Sequence, residues 1–532
     1  MKFKRLVLTP YFLIAVSAVL SALPLTFSYL FALSWISFIP YFYTVVKCRE
    51  TKILNALWRG FLFGFIYHTF IYYWFLWFYP LDYAELTNGS SIAVIMLAWL
   101  GISAVHGLLW CIPAVCCNLV SKINKNPVLL CFTAIIGILA AEKITQLGEL
   151  SFPWVRVSLG QYRATALIQS LSLFGTDGLD MIILAFNALI TLAVLCKSKK
   201  RIAAICCAIV LFCSNLCFGV IRLGLQVENN NELTVMTVQG SVDRSDKWAE
   251  DGIEFCYDTY SALTKENITG NVDLVIWPES AVPKVYKSKK SLKPYKDISK
   301  SIDTPLLAGI LYNKDGAHTN NAMLIERGKI TATYAKRQLV PFGEYMPYEK
   351  TVSKIFPFLK NLNIMEEDYV SGKNSAIMEF GGGKIGNVIC FESIYPKLTR
   401  SSVLDGAELM IETTNDSWLK NSPAINQHLA HGVFRSVENS RPLIRSANSG
   451  ISAFIDSRGR IKSKLGVSEQ GVLTDTVRFS DEMTLYTKVG DILFPISVGV
   501  LLIWCLVCAY KFFKEKRRNK PVAVFNVTGH NE

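Results

Sequence analysis

The hydrophobic positions of this chain follow two patterns, and the change between them falls near residue 222. Before it, long apolar runs alternate with short polar connections, and one further long run lies close to the C-terminal end. A helix needs about 20 mostly apolar residues to cross a bilayer. Runs of that order lie near residues 7–23, 25–46, 58–79, 91–119, 127–145, 176–196, 202–222 and 488–512. The pattern therefore predicts about eight membrane-spanning helices.

Between about residues 223 and 487 the apolar runs are short, and turn residues and a longer mixed stretch follow each one. This alternation is typical of an α/β domain. Helices are predicted over about Lys247–Lys265 and Asn426–Glu438. The predicted strands are Leu233–Val238, Val272–Ile276, Leu306–Ile310, Ala322–Ile325, Ile385–Ile389, Leu409–Glu412, Leu443–Ala447 and Ile451–Ile455. Nearly continuous apolar strands suit a sheet that is covered on both faces.

Basic residues indicate the orientation of the predicted spans, because Lys and Arg collect in short loops that stay in the cytoplasm. They cluster here before the first span and after the second, fourth, sixth and last. An eight-span count puts every cluster on the cytoplasmic side. The predicted organisation is seven helices in residues 1–222, an outer domain over 223–487, a last helix over 488–512 and a basic cytoplasmic tail over 513–532. We expect the first span to be retained rather than cleaved as a signal peptide, because only an even number of spans puts every basic cluster on the cytoplasmic side.

Composition agrees with a membrane protein: 51% of the 532 residues are apolar and only 18% are charged. Much of the formal charge of +13 lies in the cytoplasmic clusters, which argues against a nucleic-acid partner. Most of the 14 cysteines lie in or beside the spans, and the outer region keeps only Cys256 and Cys390. A disulfide framework is therefore not expected, although one bridge between these two stays open.

Reactive residue types follow two of the predicted strands. Glu279 comes after the strand ending at Ile276, and Cys390 directly follows Ile389. A nucleophilic cysteine must become a thiolate, which needs a nearby base or cation. Glu279 supplies a carboxylate, and Lys336, before Leu339-Val340-Pro341-Phe342-Gly343-Glu344, supplies a cation. Taken singly, the three residues also fit a packed cysteine, a solvated glutamate and a surface lysine.

Together these motifs resemble the Glu-Lys-Cys triad of the nitrilase (carbon-nitrogen hydrolase) superfamily. The spacing is 57 residues from Glu279 to Lys336 and 54 from Lys336 to Cys390. With the flanking spans, residues 5–512 resemble the apolipoprotein N-acyltransferase family. Shorter matches are Phe152-Pro153-Trp154, Val238-Gln239-Gly240, Lys247-Trp248, Asn415-Asp416-Ser417-Trp418, Gln427-His428 and Arg441-Pro442-Leu443-Ile444-Arg445-Ser446. One departure is Phe391, where that family commonly has tyrosine.

The resemblance implies an α-β-β-α sandwich on the periplasmic side of a bacterial inner membrane, with no cofactor. A phospholipid would donate an acyl chain to Cys390 as a thioester, and the α-amine of a diacylglyceryl-cysteine apolipoprotein would accept it. Glu279 would then be the base, and Lys336 and the backbone N–H of Phe391 would stabilise the oxyanion. Supporting roles fall to three more residues: Glu344 beside Lys336, Glu392 at the acyl site and Trp248 at the substrate. Glu344 and Glu392 have purely structural roles as the alternative.

Residues 355–365 form an apolar segment inside the outer domain, between Lys336 and Cys390. We hypothesise that this segment is a mobile arm dipping into the bilayer beside the site, which would keep water from a thioester. A buried core segment is the alternative.

An amidase, a transporter and a metal site are alternative interpretations of the same sequence. A membrane-tethered amidase would use the same triad but would need only one span. A transporter is disfavoured because the predicted spans carry few ionisable residues, chiefly His68 and His106. His428 and His431 stand three apart on a predicted helix, but we interpret them as structural rather than as metal ligands, because no third ligand accompanies them.

Overall fold

The computed structural model describes residues 10–48, 51–81, 86–225, 228–314, 316–355, 369–373 and 377–518. The hypothesised arm over 355–365 lies outside the described residues, except for Ile355 at the end of a helix. Residues 519–532 of the basic tail also lie outside them.

Apolar helices make up the N-terminal part of the chain. They are α1 (Pro10–Thr26), α2 (Ile39–Lys47), α3 (Ile53–Ile71), α4 (Asn88–Leu109), α5 (Cys111–Ser121), α6 (Pro127–Ile144), α7 (Leu171–Leu195) and α8 (Ser198–Gly224). Short 3₁₀ segments at Ser28–Trp35 and Tyr72–Phe78 extend two of them.

Six helical segments in the described part of the chain are long and apolar enough to cross a membrane. They are Ser28–Lys47, Ile53–Phe78, Asn88–Ser121, Pro127–Ile144, Leu171–Leu195 and Ser198–Gly224. The first and last predicted spans coincide with shorter apolar helices, Pro10–Thr26 and Leu493–Trp504. Length and composition thus support six of the eight predicted spans.

The expectation that the spans hold few ionisable residues is wrong. Five buried charged residues lie in or beside α6 and α7: Glu142, Lys143, Arg156, Asp177 and Asp180. Arg156 pairs with Asp180 at 2.7 Å, with Glu142 at 3.4 Å and also with Asp177. The cluster holds two helices and the segment between them together, because each buried carboxylate needs the shared guanidinium.

The outer domain contains thirteen strands in its described residues. They are β1 (Glu228–Gln239), β2 (Leu274–Trp277), β3 (Val285–Tyr286), β4 (Leu306–Lys314), β5 (Ala317–Glu326), β6 (Lys329–Ala335), β7 (Ile377–Phe380), β8 (Gly383–Ile389), β9 (Leu409–Thr414), β10 (Leu443–Ala447), β11 (Ala453–Ile455), β12 (Ile461–Lys464) and β13 (Gly471–Ser480).

The helices of this domain and the C-terminal helix are α9 (Arg244–Lys247), α10 (Gly252–Asn267), α11 (Lys293–Ser301), α12 (Glu349–Ile355), α13 (Pro396–Leu404), α14 (Ala424–Asn439), α15 (Leu485–Val489) and α16 (Leu493–Arg518).

These strands form two sheets that pack face to face. One has the order β13-β1-β2-β4-β5-β6 with β3 beside β4, and the other has the order β12-β11-β10-β9-β8-β7. Apolar side chains from both sheets share one buried core, including Ile276 and Ile389. Helices α10 and α11 cover the outer face of the first sheet, and α13 and α14 cover the second. The domain is therefore the α-β-β-α sandwich that the resemblance implied.

The eight predicted strands all coincide with observed ones, and the predicted helix over Asn426–Glu438 lies within α14. The predicted helix over Lys247–Lys265 is wrong at its start, because the chain turns between α9 and α10. Gly252 lies at that turn, where a Cβ atom would meet the Lys247 carbonyl oxygen at 2.3 Å. Only glycine fits so close an approach.

Helix α14 joins the sandwich to the membrane helices. Trp154 Nε1 donates to Gln427 Oε1 at 2.6 Å, and the Thr176 hydroxyl donates to Glu438 Oε1 at 2.7 Å. One apolar core continues from α13 and α14 into α1 and α7. The end of the second sheet at which Cys390 follows β8 therefore lies beside the membrane domain.

Candidate active site

Cys390 begins a tight turn directly after β8. Its φ of 52° lies in the left-handed region, which non-glycine residues adopt uncommonly and at a cost of about 1–3 kcal/mol. The last five residues of β8 are buried, whereas Cys390 is partly exposed. The turn thus lifts the sulfur out of the sheet at the carboxyl end of a parallel strand, as expected from the sequence.

Glu279 follows β2 in the facing sheet and is buried. Its Oε1 accepts hydrogen bonds from Lys336 Nζ at 3.1 Å and from Asn320 Nδ2 at 2.7 Å. Its Oε2 accepts one from the backbone N–H of Asn415 at 2.9 Å. Three donors thus fix the orientation of this carboxylate.

Lys336 directly follows β6 and is also buried. Besides Glu279, its Nζ contacts Glu344 Oε1 at 2.8 Å. Burial opposes the charge, but the two carboxylates outweigh it and hold the pKa of Lys336 well above its usual value. The side chain is therefore a permanent cation between two acids.

The thiol of Cys390, unlike the amine of Lys336, is held in its uncharged form. Burial raises its pKa well above the usual value, and the Glu279 carboxylate raises it further, while Lys336 lowers it. The sulfur at rest is thus a protonated thiol in the field of Glu279 and Lys336. It needs a base at the moment of attack.

Glu344 makes the contacts expected of a residue that orients Lys336. Its second oxygen, Oε2, accepts from the backbone N–H of Val340 at 2.8 Å. Asn320 Nδ2 also approaches Glu344 Oε1 at 3.4 Å, so that one amide connects Glu344 with Glu279.

Glu392 is fully buried and bonds only to protein donors in the described residues. It accepts from the Tyr334 hydroxyl and from three backbone N–H groups, those of Arg337 (2.7 Å), Gln338 (3.0 Å) and Ile389 (2.7 Å). These contacts tie the segment after β6 to the turn after β8.

Phe391 and Trp248 lie at different edges of the site. The Phe391 ring stacks on Phe152 of the membrane domain, with 5.6 Å between ring centroids. The Trp248 indole is 55% exposed, and it is the preceding Lys247 that turns inward, to Ser280 Oγ at 3.4 Å. Burial lowers the pKa of Lys247 to about 8.

A buried polar network also lies beside Cys390, and the sequence analysis assigned no role to it. Asp416 Oδ1 accepts from the Thr414 hydroxyl at 3.1 Å and lies 2.9 Å from His428 Nδ1, while Arg445 donates to Asp416 Oδ2 at 2.7 Å. His428 Nε2 lies 3.2 Å from the carbonyl oxygen of Cys390. Asn415-Asp416 and Gln427-His428 stood out as motifs, but only the fold brings them together.

The two histidines that stand three apart on α14 have separate partners. His431 Nε2 bonds to the Trp154 carbonyl oxygen at 3.0 Å, whereas His428 faces the nucleophile. Ligand-type atoms of Cys390, Asp416 and His428 lie within 4.8 Å of one another. Both ring nitrogens of His428 already have hydrogen-bond partners, which fits a polar network better than a metal centre. Cys256 and Cys390 are free thiols, so no bridge joins them.

Two family models match the chain. Residues 242–484 match the carbon-nitrogen hydrolase family, and residues 17–189 match the apolipoprotein N-acyltransferase N-terminal domain. Fold, site and models thus define a class: a multi-pass membrane protein with a nitrilase-type domain.

Known relatives narrow the class. The chain is 30% identical over 515 residues to apolipoprotein N-acyltransferase 2 of Treponema denticola, and the matched region covers 90% of this chain and 91% of the relative. It is 29% identical over 494 residues to apolipoprotein N-acyltransferase of Geobacter metallireducens, covering 91% and 92%. The chain belongs to the apolipoprotein N-acyltransferase family.

Solved structures similar to the sandwich include a carbon-nitrogen hydrolase superfamily protein from Xanthomonas campestris, at 18% identity and a TM-score of 0.37, covering 50% of this chain and 97% of that one. Another is an amidase from Nesterenkonia sp., at 18% identity and a TM-score of 0.35, covering 50% and 95%.

Proposed function

We propose that this protein transfers an acyl chain from a membrane phospholipid, through a thioester on Cys390, to the N-terminal amine of diacylglyceryl-cysteine apolipoproteins. Family membership supports N-acylation in lipoprotein maturation. The observation that carries the covalent route is the placement of a buried Glu279–Lys336 pair around a protonated thiol at a strand end.

In the first half-reaction Glu279 accepts the thiol proton while the sulfur of Cys390 attacks the ester carbonyl of the phospholipid. Lys336 and the backbone N–H of Phe391 donate to the tetrahedral oxyanion, and one such donor is worth about 10²- to 10³-fold in rate. The intermediate collapses when the C–O bond breaks. Glu279 returns its proton to the departing oxygen, which leaves a lysophospholipid and an acyl-cysteine.

In the second half-reaction the α-amine of the acceptor attacks the thioester, again with Lys336 and the Phe391 N–H on the oxyanion. Glu279 takes the amine proton and gives it to the sulfur as the C–S bond breaks. The products are an amide and the free Cys390 thiol. Glu279 serves both halves as base and acid. The scheme is ping-pong, because the lysophospholipid leaves before the acceptor amine reacts with the acyl-cysteine.

The thioester must outlast attack by water until a lipid-bearing amine arrives. An aromatic wall supports this requirement: Phe391 stacks on Phe152, which stacks on Trp154 at 5.6 Å, and Trp154 adjoins Trp74 at 5.4 Å. This wall runs from Phe391, next to Cys390, to Trp74 of the membrane domain. The basic loops support placement of the catalytic domain on the periplasmic side of the inner membrane.

The test is mass spectrometry of the full-length protein in vesicles of phospholipid with deuterated acyl chains. We expect one acyl group on the Cys390 peptide of the wild type and none with Glu279→Gln. Cys256→Ala is the matched control, because Cys256 lies in the helix layer of the first sheet and should leave the adduct intact. An adduct formed only from soluble amides would favour an amidase and overturn the proposal.

A further inference from the structure

The polar network beside the nucleophile has a specific geometry. Strand β9 pairs with β8 so that Thr413 lies opposite Ile389, which brings Thr414 next to Cys390. Asp416 and His428 complete the surroundings, and atoms of these two residues and the Cys390 sulfur lie within 4.8 Å of one another. Thr414 and Asp416 flank Asn415, whose backbone N–H donates to Glu279 Oε2 at 2.9 Å, so this network adjoins the Glu279–Lys336 pair.

We propose that Thr414, Asp416 and His428 form a second positioning unit for Cys390, which fixes its strained backbone and supplies a hydroxyl donor to the sulfur as negative charge develops. The inference rests on the proposed role of Cys390 as nucleophile. It adds to that role residues that touch neither Glu279 nor Lys336 through their side chains in the described structure.

The backbone half of the unit is His428. The Cys390 carbonyl oxygen can only accept, so the ring nitrogen facing it, Nε2, carries the hydrogen. His428 Nδ1 lies 2.9 Å from both Asp416 Oδ1 and Arg445 Nη2. A neutral ring can accept at Nδ1 from Arg445, and a protonated ring can donate from Nδ1 to Asp416. In both states Nε2–H donates to the Cys390 carbonyl oxygen. This bond holds the carbonyl of a residue whose φ of 52° would otherwise relax.

The sulfur half of the unit is Thr414, which is fully buried. In the resting state its hydroxyl donates to Asp416 Oδ1 at 3.1 Å. When Glu279 removes the thiol proton, the hydroxyl rotates to the thiolate. A hydrogen bond from Thr414 lowers the pKa of Cys390, whereas the larger effects of burial and Glu279 raise it. The Thr414 hydroxyl therefore favours the thiolate form of Cys390.

Asp416 orients the other two members. Its own charge raises the pKa of the Cys390 thiol, so electrostatic activation of the sulfur is not its contribution. Arg445 holds it from the far side at 2.7 Å. Burial would raise the pKa of Asp416, but Arg445 and His428 outweigh burial and keep that pKa far below its usual value. The carboxylate is thus a permanent acceptor for the Thr414 hydroxyl.

The experiment uses Thr414→Val, which removes the hydroxyl and keeps the shape, and Thr414→Ser, which restores a hydroxyl. Thr413→Val is the matched control, because Thr413 is also buried on β9 but its hydroxyl has no hydrogen-bond partner in the described structure. Two readouts are taken on the full-length protein in vesicles: the rate of Cys390 acylation by phospholipid, and the pH midpoint of Cys390 alkylation by iodoacetamide.

We expect Thr414→Val to slow acylation about tenfold to a hundredfold, the factor a hydrogen bond to a charged group commonly supplies. The KM for phospholipid should stay unchanged, and the alkylation midpoint should move to higher pH. Thr414→Ser should recover most of both, and Thr413→Val should match the wild type. His428→Gln, which keeps a donor for the Cys390 carbonyl, should retain more activity than His428→Ala.

Wild-type acylation rate and an unchanged alkylation midpoint in Thr414→Val would overturn the positioning unit. Alkylation requires no acyl donor, so it tests the unit independently of the transfer reaction. If the wild type formed no acyl adduct while the Thr414→Val midpoint still moved, the proposed function would fail and the unit would stand.

Discussion

At the scale of single residues, protonation states decide the order of events at the site. Lys336 keeps its charge between Glu279 and Glu344, and Cys390 keeps its proton because partial burial and the Glu279 carboxylate raise the pKa of its thiol. A preformed thiolate paired with Lys336 is therefore not the resting state. In the proposed mechanism Glu279 then accepts the thiol proton, and Lys336 stabilises the oxyanion.

This arrangement predicts opposite effects on the reactivity of Cys390 from its two charged neighbours. Glu279→Gln removes a charge that raises the thiol pKa, so alkylation of Cys390 by iodoacetamide at pH 7 should become faster although acylation is lost. Lys336→Met removes a charge that lowers the pKa, so alkylation should become slower. Changes of the same sign in both variants would contradict the assignment.

Glu279, Lys336 and Cys390 could be singled out from the sequence because each lies in a recognisable motif beside a strand. Asn320 and Thr414 could not, since a polar residue inside a strand reveals its partner only when the facing strand is known. Asn320 lies on β5 and contacts Glu279, which follows β2 of the same sheet, and Thr414 meets Asp416 in a turn. Sequence spacing carries no information about the contact between Asn320 and Glu279.

At the scale of elements, Glu392 links two parts of the active site that are far apart in sequence. It joins the segment after β6, which carries Lys336, to the turn after β8, which carries Cys390. Four donors converge on its carboxylate, and no water is needed to satisfy them. The relative placement of Lys336 and Cys390 therefore depends on this one side chain.

Glu392→Gln should destabilise the sandwich. The NH₂ group of glutamine can only donate, so it cannot accept the backbone N–H hydrogen bonds that one carboxylate oxygen of Glu392 accepts. Each buried donor left unpaired costs about 1–3 kcal/mol. We expect a lower thermal midpoint and a loss of acylation that added phospholipid does not restore. Glu379→Gln is the matched control, since Glu379 is exposed on β7 of the same sheet. Equal thermal midpoints in the two variants would refute the linking role.

Two strands that the sequence analysis missed, β6 and β12, share one physical property. Strand β6 alternates between exposed and partly buried positions, and β12 does the same, so neither shows a continuous apolar run. Both lie at sheet edges, where one side of the strand lacks a partner. The buried strands β2, β9 and β10 were predictable because every position in them is buried.

At the scale of the whole molecule, the membrane domain acts as a support for the catalytic domain. Trp154 bonds to α14 and also adjoins His428 at 5.6 Å, so the segment between α6 and α7 contacts the nucleophile's surroundings. Arg156, two residues on, fixes that segment through its acidic partners. No pattern in the sequence pairs these charges, because their partners come from different helices.

Arg156→Leu should therefore weaken the whole assembly, because it leaves buried carboxylates without their cation. Breaking a buried ion pair by removing one partner costs about 3–5 kcal/mol. We expect a lower yield of monodisperse protein in detergent and a lower thermal midpoint. Arg163→Leu, at an exposed arginine nearby, should behave like the wild type. A stable, fully active Arg156→Leu protein would show that the cluster does not support the site.

The most direct test of acyl transfer through Cys390 is a single-turnover chase. Protein loaded with a deuterated acyl group is separated from phospholipid and mixed with a synthetic diacylglyceryl-cysteine peptide. The label should leave Cys390 at the rate at which it appears as an amide on the peptide amine. Release of the label as free fatty acid, or acylation of the peptide only when phospholipid is added back, would contradict transfer through this thioester.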